Sequence, residues 1–260
     1  MTSQAQSAGE LTRWLSLRIA PVAVTFVEAP PAGAVSPSQV VAAGCSFWEL
    51  GATQSIVTAT KDHELCSIGV YTHNLAEPSP SYSSELQTVL GVLDGLHYAS
   101  PQDVARLPVL NRRPRYIHYA PLSTVQGAPD VVLLFVDARQ SLVIAEAVER
   151  VDDGLAVAMG RPACAVIPHV VNTGRAALSL GCCGARAYLG VLTDDVALWA
   201  LPGARIAHYA AAIAQLGSAN EMLGRFHLLR LHDVRQGHSP SYQESLARLQ
   251  SSQSQQPEAG

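Results

Sequence analysis

One run of residues, Val131–Val136 (VVLLFV), constrains the fold more than any other feature of the sequence. Every side chain in this run is apolar, which is typical of a strand that is covered on both faces of a sheet. Residues 138–150 follow with apolar side chains at helical spacing. A buried strand that leads into a helix predicts an α/β or α+β fold, in which a mixed sheet is flanked by helices.

Other segments repeat these two patterns along the chain. Strands are predicted at residues 22–27, 55–60, 116–119, 155–159 and 196–201, and helices at residues 11–20, 84–95, 101–107, 162–171 and 204–216. A strand, a cysteine and then a second cysteine close to a glycine occur twice, with Cys45 and Cys66 in the first half and Cys164 and Cys182 in the second. This echo indicates two weakly similar halves within one domain.

The predicted domain ends where the composition changes. Residues 1–236 carry the apolar segments, and we expect them to form a single domain. From Gly237 onwards the chain is polar, and its last ten residues, SSQSQQPEAG, have little to bury. Residues 237–260 are therefore predicted to form a largely disordered tail.

Charge and composition exclude several classes of protein. The chain has 17 basic and 21 acidic residues, and its formal net charge of −4 lacks the positive field that drives nucleic-acid binding. Apolar residues make up 48% and charged residues 15%, so the chain can bury a sizeable core, and its weak surface charge is compatible with a homodimer. No apolar run of about 18 residues predicts a membrane span. The polar first ten residues do not resemble a secretory signal, so we expect a cytoplasmic protein with reduced thiols.

The common catalytic signatures are absent from the sequence. It contains no G-x-x-x-x-G-K-[ST] loop, no G-x-G-x-x-G, no G-x-S-x-G, no H-E-x-x-H and no C-x-x-C. Five cysteines remain, and their odd number argues against a disulfide framework. Glycine or arginine lies close to most of them in sequence, as in Gly44-Cys45, Cys66-Ser67-Ile68-Gly69, Arg161-Pro162-Ala163-Cys164 and Gly181-Cys182-Cys183-Gly184-Ala185-Arg186.

Glycine and arginine near a cysteine have a physical use. A glycine N–H can approach a sulfur or an anion closely, and positive charge favours a thiolate or a bound anion. Cysteines buried as small apolar residues in glycine-rich turns are the other interpretation.

The cysteine segments also resemble a known family. The segments that carry the likeness are Cys45 with the apolar stretch after it, Thr58-Ala59-Thr60-Lys61-Asp62-His63-Glu64-Leu65-Cys66-Ser67-Ile68-Gly69, Tyr119-Ala120-Pro121-Leu122, Pro129-Asp130-Val131-Val132, Gly160-Arg161-Pro162-Ala163-Cys164 and Ser179-Leu180-Gly181-Cys182-Cys183-Gly184-Ala185-Arg186. In their order and spacing they resemble the bacterial and archaeal family called domain of unknown function 169, over roughly residues 11–215. The resemblance implies a cytoplasmic α/β-type domain whose motifs centre on cysteine. Cys45, Cys66, Cys164 and Cys182 stand at the motif positions, whereas Cys183 does not.

Four cysteines at motif positions suggest a shared cofactor. Iron–sulfur clusters are commonly held by four thiolates, and zinc can also take four. The wide spacing means that only the folded chain could gather these residues, which is unlike a local zinc module. We therefore expect Cys45, Cys66, Cys164 and Cys182 to bind an iron–sulfur cluster.

The partner of such a site would be a small-molecule ligand or an electron-transfer protein. An anionic group would be received by Arg161 or Arg186. The sequence does not identify a reaction, and it leaves open whether the protein is an enzyme.

Two alternatives to the cluster stay open. Haem binding would use one cysteine or histidine as an axial ligand, and His63, His73 and His169 lie near the cysteine segments. The protein would then be a sensor or a ligand-binding module without catalysis. The adjacent pair Cys182-Cys183 could instead chelate a soft metal or oxidise reversibly.

Overall fold

The computed structural model describes residues 3–253 of the chain, and within them seven strands form one sheet. The strands are β1 (Val22–Val27), β2 (Ile56–Ala59), β3 (Tyr116–Pro121), β4 (Val131–Val136), β5 (Val157–Met159), β6 (Ala177–Ser179) and β7 (Ala197–Pro202). The helices are α1 (Gln4–Leu15), α2 (Ser46–Gly51), α3 (Thr60–His63), α4 (Ser67–Thr72), α5 (Tyr82–Gly95), α6 (Pro101–Ala105), α7 (Ala138–Asp152), α8 (Val166–Thr173), α9 (Cys183–Tyr188), α10 (Ile206–Arg235) and α11 (Tyr242–Gln253). The predicted α/β class, with a mixed sheet flanked by helices, is confirmed.

The sheet contains two corresponding halves. Its strand order is β2-β3-β1-β4-β7-β6-β5, and every neighbouring pair is antiparallel except β5 and β6. On either side of the β1–β4 contact, β3 corresponds to β7 and β2 to β6. The register agrees as well, because Val22 pairs with Pro121 in one half and Val131 with Pro202 in the other. The two weakly similar halves are thus visible in the topology. The counterpart of β5 in the first half is the single residue Val35, which forms a parallel bridge with Ile56 of β2.

The centre of the sheet follows from its side chains. All six residues of β4 are buried, as expected for a strand covered on both faces. Helix α7 starts directly after it because Asp137 and Gln140 form a reciprocal capping box. The Asp137 carboxylate accepts from the Gln140 backbone N–H at 2.8 Å, and the side-chain carbonyl of Gln140 accepts from the Asp137 backbone N–H at 2.7 Å. This local signal turns the chain out of the sheet into a helix on its surface.

The cysteines of the motif segments lie where helices begin. Cys45, Cys66 and Cys182 are the N-cap residues of α2, α4 and α9. Cys164 lies in a 3-10 helix, Ala163–Ala165, that leads into α8. Equivalent positions in the two halves therefore present their thiols at the same kind of junction.

The end of the chain differs from its prediction. The chain separates into two compact units, Met1–Ile213 and Ala214–Gly260, and helix α10 continues well beyond residue 216. Residues 242–253 of the predicted disordered tail form helix α11, which begins with a capping box between Ser241 and Glu244. Residues 254–260 of that tail lie outside the described residues. A search of the described helices found none with the length and apolar character needed to cross a membrane.

Candidate functional site

The structure brings the four motif cysteines into one neighbourhood. Burial, together with the nearby Cys66 and Cys182, raises the pKa of the Cys45 thiol to about 12. Burial also raises the pKa of the Cys164 thiol, and Cys66, Cys45 and Cys182 act on it in the same direction. Two cysteines from each half of the sheet are thus close enough to disfavour one another's negative charge.

The degree of burial differs among the five cysteines. Cys164 is buried in the core, and Cys45, Cys66 and Cys182 are half-buried. Cys183 is exposed. The four motif thiols therefore share a partly desolvated environment, while Cys183 faces solvent.

The spacing of the site does not suit a single metal ion. Within residues 3–253, no three His, Cys, Asp or Glu side chains are arranged to hold one. A tetrahedral zinc ion with four thiolates brings the sulfur atoms to about 3.8 Å from one another. Among the described residues, the thiols do not form a site of this kind.

Two polar side chains from other elements reach the thiols. The Thr72 hydroxyl on α4 lies 3.4 Å from the Cys164 Sγ, and this hydrogen bond lowers the pKa of Cys164, against the effect of burial. Tyr119 on β3 is fully buried, and burial raises the pKa of its phenol well above the ordinary value. The nearby Cys164, Cys45 and Cys66 raise it further, which places this phenol beside three of the four cysteines.

Two buried histidines flank the site, and each has a ring nitrogen without a partner. The His63 Nε2 lies 2.8 Å from the Thr58 hydroxyl, while its Nδ1 is buried and unpaired. A side chain at Gly44, the residue before Cys45, would overlap that Nδ1. The His73 Nδ1 donates to the Gly69 carbonyl at 2.9 Å, and its Nε2 is buried and unpaired. Burial lowers the pKa of His63 to about 3 and that of His73 to about 4, so both rings are neutral.

Arg161 lies in a small surface cluster beside the site. Its guanidinium stacks 4.0 Å over the ring of Tyr98. The Cys183 Sγ donates to the Tyr98 hydroxyl at 3.3 Å, and the charges of Cys183 and Cys182 both act on that phenol. Arg161 therefore stands near Cys182 and remains the better placed of the two candidate anion-binding arginines.

Arg186 has a different environment. Its guanidinium donates to the backbone carbonyls of Leu180, Leu192, Thr193 and Val196. These bonds tie the segment before Cys182 to the loop that precedes β7. A guanidinium engaged in this way favours a positioning role for Arg186 over direct contact with a ligand.

Several neighbours of the thiols are not predictable from the sequence. Tyr119 belongs to one of the family-like segments, but the alternation of apolar and polar side chains in a strand does not show which of them lies near a cysteine. Thr72 and Tyr98 carry no sequence signal for this role, because their contacts span 92 and 85 positions of the chain. His63 and His73 were considered only as haem ligands, whereas the structure shows them as buried neutral side chains with one free nitrogen each.

Comparison with curated proteins and with solved structures gave no match. A family model, described as Uncharacterised ArCR, matches residues 10–212. This match covers most of the chain and all five cysteines. The chain therefore belongs to the family called domain of unknown function 169.

Proposed function

We propose that this protein binds an iron–sulfur cluster through Cys45, Cys66, Cys164 and Cys182 and uses it, in the cytoplasm, for electron transfer or the redox chemistry of a small molecule. The observation that carries the proposal is the neighbourhood of the four thiols, which come from segments spread over residues 45–182.

The residues present fit this kind of group. The thiolates of an iron–sulfur cluster are shared among several iron atoms, so its ligands spread over a wider site than those of one metal ion. The nearby motif cysteines raise the pKa of Cys45 and of Cys164, which supports a shared neighbourhood of the thiols. The free Nδ1 of His63 and the free Nε2 of His73 are buried polar atoms that lack a partner, which also supports a missing group in this region.

The chain's own residues would define the environment of the cluster, whose chemistry when bound is one-electron transfer. Core side chains around Cys164 keep water from the buried side of the site. The Thr72 hydroxyl, which donates to the Ile68 carbonyl at 2.9 Å, lies 3.4 Å from the Cys164 Sγ and would turn its proton towards a thiolate there. Hydrogen bonds of this kind tune the redox potential of a bound cluster. Arg161 at the surface would receive an anionic substrate or an acidic group of an electron-transfer protein.

Anaerobic purification followed by iron and sulfide analysis tests the proposal. We expect about two or four iron ions per chain in the native protein, with an equal number of sulfide ions. Replacing any one of Cys45, Cys66, Cys164 or Cys182 with serine should lower the iron content severalfold. The matched control is Cys183→Ser, which changes the neighbouring thiol and should leave the content unchanged. Background iron and sulfide in the native protein after reconstitution would refute the cluster, and a Soret band would point to haem instead.

A second candidate, a thiol-based redox sensor, rests on Cys183. This cysteine is exposed, its Sγ donates to the Tyr98 hydroxyl, and Cys182 precedes it directly. A low-molecular-weight disulfide would form a mixed disulfide at Cys183 and release one thiol. Counting thiols before and after this treatment, in the native protein and in Cys183→Ser, separates this function from cluster binding.

A further inference from the structure

The two edges of the sheet are treated differently. At the β2 edge, Val35 pairs with the outer side of the strand: its N–H donates to the Ser55 carbonyl at 3.1 Å, and its carbonyl accepts from the Val57 N–H at 3.0 Å. At the other edge, β5 pairs only with β6 among the described residues. An edge strand with free N–H and C=O groups invites pairing with another strand.

The apolar side chains at the β5 edge are unusually exposed. Leu155 is 74% exposed and Val157 is 41% exposed. Leu180, whose N–H donates to the Met159 carbonyl, is 59% exposed. β5 is only three residues long, but residues 154–160 carry no charged side chain and no proline, two of the features that commonly protect an edge strand.

The hydrogen bonding of β5 shows which backbone groups are free. The Met159 carbonyl points towards β6, because it accepts from the Leu180 N–H at 3.3 Å. The backbone N–H and C=O groups of successive residues point in opposite directions along a strand. Those of Val157 therefore also point towards β6, and those of Ala158 point to the open edge. By the same alternation, the backbone N–H and C=O groups of Ala156, the residue before β5, point to the open edge as well.

The sequence around this edge is complementary to itself. Residues 153–161 read Asp-Gly-Leu-Ala-Val-Ala-Met-Gly-Arg, which is symmetric in chemistry about Val157. If two copies run antiparallel with Val157 opposite Val157, Ala156 of each stands opposite Ala158 of the other. These are the outward-pointing residues, and directly opposite residues of this kind exchange two hydrogen bonds.

We propose that β5 pairs antiparallel with β5 of a second copy of this chain, in a register centred on Val157, to form a twofold dimer with a continuous sheet. Leu155 then contacts the partner's Met159. Asp153, the left-handed C-cap residue of α7, lies beyond the paired segment at the same end as the partner's Arg161. Both arrangements occur twice because the interface is isologous. The opposite charges at the two ends favour this register and a second copy over an unrelated extended peptide. The proposal does not depend on the cofactor.

Sedimentation analysis of the full chain, native and with a lysine introduced at the interface or away from it, tests the proposal. We expect the native protein to be a dimer. Val157→Lys places two lysines side by side at the twofold axis and should raise the dissociation constant at least about tenfold. The matched control, Val92→Lys, makes the same change at an exposed position of α5 and should leave the dimer unchanged.

A charge exchange tests the register. Asp153→Lys and Arg161→Glu should each weaken the dimer, because each creates a like-charge pair, and the double variant should restore it. The circular dichroism spectrum and melting temperature of each variant show that the fold is intact. A monomeric native protein, a dimer insensitive to Val157→Lys, or a double variant no better than the single ones would overturn the proposal.

Discussion

At the scale of single residues, the two buried histidines beside the cysteine site make stability depend on pH. The pKa of His63 is lowered to about 3 and that of His73 to about 4 in the folded protein, against 6.5 for the ordinary side chain, and burial is the main cause of both shifts. The unfolded chain therefore binds protons at these positions below about pH 6.5, whereas the folded protein does not until the pH is much lower.

We expect the free energy of unfolding to fall as the pH is lowered from about 6.5 towards 4. The sign follows because the unfolded state binds more protons in this range, and each histidine contributes at most about 1.4 kcal/mol per pH unit. Urea unfolding at a series of pH values measures the slope. His73→Asn or His63→Asn should each reduce it, since each removes one proton from the difference. A slope that neither substitution changes would show that these rings are not buried in the neutral form.

At the scale of elements, the junction between β4 and β7 depends on close backbone contact. Gly203 follows β7, and its N–H donates to the Asp130 carbonyl at 3.2 Å. A Cβ at this position would overlap the carbonyl of Pro129, which is backbone and cannot move aside as a flexible side chain would. The first residue of β4, Val131, pairs with Pro202 next to this contact.

We expect Gly203→Ala to destabilise the protein by about 1–3 kcal/mol, because the two strand ends must separate to admit a methyl group. Gly224→Ala is the matched control. Nothing lies within 4 Å of a Cβ at Gly224, in the interior of helix α10, so it should stabilise that helix by about 0.5–1 kcal/mol. Urea unfolding of both variants gives the comparison. Equal stability of native protein and Gly203→Ala would contradict the close approach.

Elements were predictable where local patterns decide them, and their arrangement was not. Val131–Val136 and residues 138–150 were recognised because an apolar run and helical spacing are local signals, and the Asp137 cap agrees with them. The short helix at Ser46–Gly51 was seen only as an apolar stretch, since six residues are too few to show a period. Strand order depends on contacts between distant residues such as Val24 and Tyr119, which no local pattern encodes.

The candidate site shows the same limit. The four cysteines stood out because their segments resemble a family, and glycine and arginine lie near them in sequence. Their surroundings came only from the fold, because Tyr119 and Thr72 approach the thiols from elements far away in the chain. Arg186 was predicted to receive an anionic group, and the structure shows its two terminal nitrogens bound to four backbone carbonyls, an arrangement that depends on a loop conformation and that composition does not encode.

At the scale of the whole molecule, the two compact units differ in how much they bury. In the first unit, Met1–Ile213, strands β1, β4 and β7 are largely buried. In the second unit, Phe226 and Leu249 are buried, and an ion pair joins Arg248 to the buried Asp233 at 2.6 Å. The same unit exposes large apolar side chains at Met222, Leu223, Leu228, Leu231, Val234, Tyr242 and Leu246.

A unit with so small a core has little free energy to resist local opening. We therefore expect hydrogen exchange of the full chain to show two levels of protection. Backbone amides of β4 and β7 should exchange at the rate set by global unfolding, and those of α11 and of α10 beyond residue 216 should exchange orders of magnitude faster. Mass spectrometry of peptides from the exchanged protein resolves these segments. Equal protection in both units would mean that another surface covers the exposed apolar side chains of the second unit. Repeating the measurement at high dilution would then show whether that surface belongs to another copy of the chain.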